Sequence, residues 1–245
     1  LSFEISWLAL FIELRQILML GYVLAIAIGL SLGLIGGGGS ILAVPTLVYV
    51  VGVPTKEAIA MSLFIVGAVS ILGAGAHWQA GNVNLRTAAL FAPVAMVGSY
   101  LGARLAGLPF VTDAFQLVAF GAVMVIASVL MIFKKNGKKE LKQSAANRSH
   151  AHLGGIPAWL AIPVEGLVVG VLTGFVGVGG GFLIIPALVL LGGLPMKQAV
   201  GTSLVIIAFK SATGFWGYLS HVTLDWQLML GFTIASAFGT IAGVI

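Results

Sequence analysis

The chain has 245 residues, 60% of them hydrophobic and only 8% charged, with a formal net charge of +5 and no cysteine. Soluble domains carry about 25% charged residues, so this composition excludes an ordinary soluble domain, and the missing thiols exclude disulfide, thiol and Cys-ligated metal chemistry. The apolar runs approach 20 residues, a length suited to membrane helices rather than alternating barrel strands.

In chain order, residues 3–14 are apolar with two acids, Glu4 and Glu13, and read as an interfacial helix, not a signal peptide. Residues 16–35 form the first long run and dissolve into Gly36 to Gly39. Residues 41–51 are apolar but short, and as a helix would rise about 16 Å, half of a hydrocarbon core of about 30 Å. Gly52 and Pro54 break that segment. Residues 58–76 and 87–106 are predicted spans, with a turn at 81–84 between them. Asp113 is placed to cap the next span, 115–133.

Lys134, Lys135, Lys138, Lys139, Lys142 and Arg148 then crowd one loop against a single acid, Glu140. Under the positive-inside rule this loop is cytoplasmic, and it is not read as a nucleic-acid site. The order then repeats: 162–176 leads into a second glycine cluster, 182–191 is short, and 199–219 and 226–245 are spans. Phe215, Trp216 and Tyr218 read as an interfacial belt. The expected division is an N-terminal repeat (1–133), a basic loop (134–156) and a C-terminal repeat (157–245). The missing initiator Met and the last helix lacking in the second copy lead us to expect further native residues at both ends.

The repeat is literal. GLIGGGGSILAVP, ending at Pro45, recurs as GFVGVGGGFLIIP, ending at Pro186, an offset of 141 residues. Lys56 falls on Lys197, Ser62 on Ser203, Gly98 on Gly239 and Gly102 on Gly243, with no gap between 33 and 104. Such self-similarity marks a duplicated unit. The predicted fold is therefore all-α and polytopic: two homologous repeats of about five helical elements with glycine-broken short helices. Five elements per repeat would invert the second relative to the first, the pattern of secondary transporters. Re-entrant hairpins would instead make them parallel.

A helix that stops inside the bilayer exposes N–H groups and a positive dipole end, which suits anions. The expected site residues are Gly36, Gly38, Gly39 and Ser40 in the first break and Gly177, Gly179, Gly180 and Gly181 in the second. Pro45 and Pro186, a few residues in, read as first-turn prolines. Gly98–Gly102 and Gly239–Gly243 fit close helix packing instead.

The doubled glycine segment, each copy followed by P-x-K-x-A and Ser-Leu, resembles the TauE/SafE family of membrane permeases. The likeness covers nearly the whole chain. It implies export or uptake of small anions, notably sulfite, sulfoacetate and related organosulfonates, across the cytoplasmic membrane, with export the expected direction. Ser40 stands where the second copy has Gly181.

Further substrate-binding candidates are Lys56 and Lys197 as a cationic funnel, with Ser62, Thr202 and Ser203 in the helices that follow. Membrane serines more often bond back to their own helix. Lys210 lies inside a span, where its offset partner is Val69, and a lysine at that depth costs about 2.5–3.5 kcal/mol. It either serves the pathway or snorkels towards Trp216; Glu165 is a candidate partner. His77 and His221 read as solvated helix ends, and Arg104 as an interfacial anchor. No cofactor, metal or enzyme motif is expected, and a homodimer is left open. The competing reading is a channel whose glycine stretches act as carbonyl filters.

Overall fold

A computed structural model describes residues 2–135, 158–177, 179–190 and 193–244. The described residues are helical apart from their connections. In chain order the helices are α1 (Ser2–Ile35), α2 (Ser40–Pro45, continued by a π-helical turn Thr46–Val50), α3 (Thr55–Gln79), α4 (Leu85–Ala106) and α5 (Asp113–Lys135). They continue as α6 (Ala158–Val176), α7 (Gly181–Leu190), α8 (Met196–Tyr218) and α9 (Trp226–Val244). Among the described residues, five segments are long and apolar enough to cross a membrane: Arg15–Ile35 within α1, then α3, α4, α8 and α9. The basic loop falls almost wholly outside the described residues.

Three local expectations change. Residues 3–14 do not form a separate helix but continue into α1. The side-chain cap of α5 is Thr112, whose Oγ1 accepts from Phe115 N, while Asp113 is already the first helical residue. Pro45 and Pro186 are the sixth residues of α2 and α7, past the first turn. There a proline removes an intrahelical donor. In the first copy the ladder loosens just after it into the π turn, closed by Val51 N–H to Thr46 O at 3.1 Å.

The 141-residue offset governs the packing as well as the sequence. Helix α1 packs on α9, and α4 packs on α6. Shifted by the offset, α1 becomes α6 and α4 becomes α9, so each pair maps onto the other. The glycines make both contacts close. A Cβ on Gly29 or Gly239 would collide with the backbone of α9 or α1, and one on Gly170 or Gly98 with the backbone of α4 or α6. Small residues at helix crossings let backbones meet where lipid offers no hydrophobic drive. Gly98, Gly102, Gly239 and Gly243 are thus packing residues, as their spacing indicated.

Helices α3 and α8 are the innermost pair. Their apolar side chains Ile59, Met61, Leu63, Leu204, Ile206 and Ile207 are all 2% exposed or less. They pack on each other, α3 also on α9 and α8 also on α4, and this crossing seats the two breaks. Only part of the aromatic belt faces outward. Trp216 is 71% exposed, but Tyr218 is buried and Phe215 packs on Phe64.

Candidate functional site: two helix breaks held back to back

Each long broken helix ends on a left-handed glycine. Gly36 closes α1 at φ 74° and Gly177 closes α6 at φ 74°, a conformation in which a side chain costs about 1–2 kcal/mol. Their N–H groups return to Leu32 O (2.8 Å) and Thr173 O (2.9 Å), the αL form of helix ending. The two breaks then touch. Gly37 and Gly181 stack backbone against backbone, with no room for a Cβ on either. Gly179 lies against Ser40 and Val66, where a methyl would sit 2.8 Å from the serine Cβ. Gly38 is half-buried beside Ile35, and Gly39 packs on the backbone of α1 at Ile28 and Leu32.

Two serines clamp the breaks reciprocally. Ser62 Oγ lies 2.8 Å from Ile59 O and 2.6 Å from Gly177 O, and Ser203 Oγ lies 2.7 Å from Val200 O and 3.0 Å from Gly36 O. A hydroxyl has one hydrogen. Each serine shares it between its own helix and the orphan carbonyl at the other repeat's broken end. With their hydrogens so committed, neither serine offers a donor to an anion in this conformation. Thr202 is also a fastener: its Oγ1 accepts from Asn84 N at 2.9 Å and pins the 81–84 turn to α8.

The start of α2 supplies fewer free donors than a bare helix end. Ser40, Ile41 and Leu42 N–H groups bond back to Gly37, Gly38 and Gly39 carbonyls at 3.3, 3.4 and 3.1 Å. Ser40 Oγ donates to Gly37 O at 2.7 Å. At the start of α7, Leu183 and Ile184 N–H groups converge on Gly180 O at 3.0 and 2.9 Å.

The second break differs in charge. Lys210 is fully buried and donates from Nζ to Thr173 Oγ1 at 2.7 Å. Thr173 passes its own hydrogen to Val169 O, also at 2.7 Å. A methyl on Gly180 would sit 2.8 Å from Nζ and 2.7 Å from Thr173 Cγ2, so the ammonium lies against the glycine that opens α7. At 0% exposure Lys210 does not snorkel. Its geometry is that of a cation held at a broken helix, beside the positive end of α7. An anion is the complement of that arrangement.

The remaining expected residues lie apart from this pair. Lys56 is half-buried in the first turn of α3, and Lys197 is exposed in the first turn of α8. His221 is exposed, whereas His77 is half-buried. Arg104 lies over the Tyr100 ring at 5.4 Å. No group of three or more His, Cys, Asp or Glu suited to a metal occurs among the described residues.

Sequence reasoning missed three residues. Thr173 orients Lys210. Tyr218 Oη donates to Phe175 O at 2.9 Å near the end of α6, and Gln116 Nε2 bonds both Phe175 O and Tyr218 Oη at 3.1 Å. The signal for Thr173 was in the repeat. Its offset partner is Leu32, as that of Lys210 is Val69. Two polar departures in the same copy pointed to one place.

Long apolar helices, two of them followed by breaks that abut beside a buried lysine, define a multi-pass membrane protein. The chain belongs to the sulfite exporter TauE/SafE family, which it matches over residues 22–245. A Probable membrane transporter protein of Xylella fastidiosa (strain 9a5c) is 33% identical over 213 residues, covering 86% of this chain and 78% of the relative. The Probable membrane transporter protein YdhB of Bacillus subtilis is 25% identical, covering 88% and 84%. MJ0441 of Methanocaldococcus jannaschii, named likewise, is 27% identical, covering 90% and 79%. No solved structure matches the chain.

Proposed function

We propose that the chain is a secondary transporter of small anions in the cytoplasmic membrane, that it exports sulfite or organosulfonates, and that its two repeats are inverted. The observation that carries this reading is Lys210, fully buried and hydrogen-bonded to Thr173 where α7 begins. A cation in the membrane interior is costly unless it has work to do. Here it supplies one positive charge and the α7 dipole end about half of another. That sum holds a monoanion or a partly protonated dianion without a rigid cage, so release stays within reach.

The packing that exchanges α1–α9 with α4–α6 supports a two-fold relation between the repeats, and an inverted relation lets one bundle rock against the other around the breaks. The family supports sulfite-like cargo, since sulfite and sulfonates share the tetrahedral or pyramidal anionic head that such a site fits. A homodimer in the membrane belongs to the same proposal. A cation channel is disfavoured because Lys210 would repel its cargo.

The test is flux in proteoliposomes. Labelled sulfite and ethanesulfonate should move saturably, with sodium and potassium excluded as cargo. Saturable anion flux that competes between the two substrates supports the reading. Non-saturating cation current overturns it.

A further inference from the structure

A cavity of about 470 Å³ opens where α1 ends, within the usual ligand-site range of about 300–1,000 Å³. Its walls bring together Met196 and Lys197 from the first turn of α8, His77 from the end of α3 and Asn82 from the following turn. Val200 lines it and also packs directly on Gly36, so the cavity lies next to the first break. Gly201 makes the arrangement compact: a Cβ there would strike Asn82 O and approach His77 Cβ at 3.0 Å. None of the lining residues is acidic.

The other end of the molecule is built differently. The offset partner of His77 is Tyr218, which is 1% exposed and locked with Gln116 onto Phe175 O. The offset partner of Asn82 is Thr223, which donates to Glu57 at 2.9 Å. Where one end presents Lys197 to open space, the other buries a tyrosine and carries an acid next to Lys56 in sequence.

We infer that the cavity is a recruitment site for small oxyanions and sulfonates, distinct from the Lys210 station, with Lys197 as its charge and the uncapped first turn of α8 beside it. Two features converge on it. Lys197 is a cation at the cavity wall, on a 23-residue helix whose N-terminus no side chain caps. The low-dielectric walls focus the field of the lysine and raise the local anion concentration. The site rests on the reading that an anion is carried, but it is tested without transport.

The chain contains no cysteine, so a single thiol can report on the cavity. Met196 lines it and is 56% exposed. In detergent, M196C is labelled with an anionic sulfonatoethyl and a cationic trimethylammonioethyl methanethiosulfonate. Each rate is normalised to S220C, an exposed position at the far end of α8. The anionic reagent should react about tenfold faster at M196C, and ethanesulfonate at millimolar concentration should slow it. In M196C/K197Q the preference and the protection should disappear, and in M196C/K197R both should return. Equal normalised rates at M196C, or a preference untouched by K197Q, would overturn the site. An anion preference in a protein that moves no sulfite or ethanesulfonate in liposomes would support the cavity and remove the transport reading instead.

Discussion

The two breaks share a backbone and differ in chemistry. Both end on a left-handed glycine, both are clamped by a serine from the opposite repeat, and both start a short helix whose sixth residue is proline. Yet Thr173 and Lys210, which meet at the second break, have Leu32 and Val69 as their offset partners in the first copy. Duplication therefore explains the scaffold. The charge is a departure from the duplication, which separates what the fold needs from what the cargo needs.

The harshest way to break this comparison is to make the copies equal. Val69→Lys would bury a second cation at the first break, where Leu32 has no hydroxyl to receive it. A charge at that depth costs about 2.5–3.5 kcal/mol, so V69K should lose most of its folded yield by fluorescence-detected size exclusion. V69K/L32T, which restores the acceptor, should recover part of that loss.

A smaller effect is expected at Thr173. Thr173→Val keeps the volume and removes the oxygen that receives Lys210. A hydrogen bond to a charged group is worth about 1.5–3 kcal/mol, so flux should fall roughly tenfold or more while the protein stays inserted. Thr173→Ser should retain most of it.

The two serines sharpen the comparison from the side of likeness. Ser62→Ala and Ser203→Ala each leave a break carbonyl without its partner, which costs about 1–3 kcal/mol. Thermal unfolding in detergent should show similar losses for the two. A large loss for one and none for the other would mean that the breaks are not structurally equivalent.

Much of this was legible in the sequence because a repeat is read without knowing where anything packs. The offset gave the broken helices, the packing role of Gly98 and Gly239, and the odd standing of Lys210. What the sequence hid depends on contacts between distant segments. Ser62 and Gly177 are 115 residues apart, so no local pattern links them. Tyr218 looked like an interfacial aromatic because its neighbour Trp216 is one, and only packing against Gln116 and Phe175 turns it inward. The prolines were misplaced by a turn because helix starts in glycine runs carry no side-chain signal. Pro45 therefore had to be found past the first turn, with the π-helical turn behind it.

The central claim is that the buried ammonium at the second break is what the anion meets. The direct measurement is labelled sulfite flux into proteoliposomes by Lys210→Met, compared at equal incorporation with the parent and with Lys210→Arg. Methionine keeps the unbranched apolar stem, one heavy atom shorter, and removes the charge, so the variant should insert and fold at least as well as the parent. The account predicts flux at the liposome background for K210M, a loss of about 100-fold or more, equivalent to about 2.7 kcal/mol, with partial flux for K210R. Flux by K210M within twofold of the parent would contradict it.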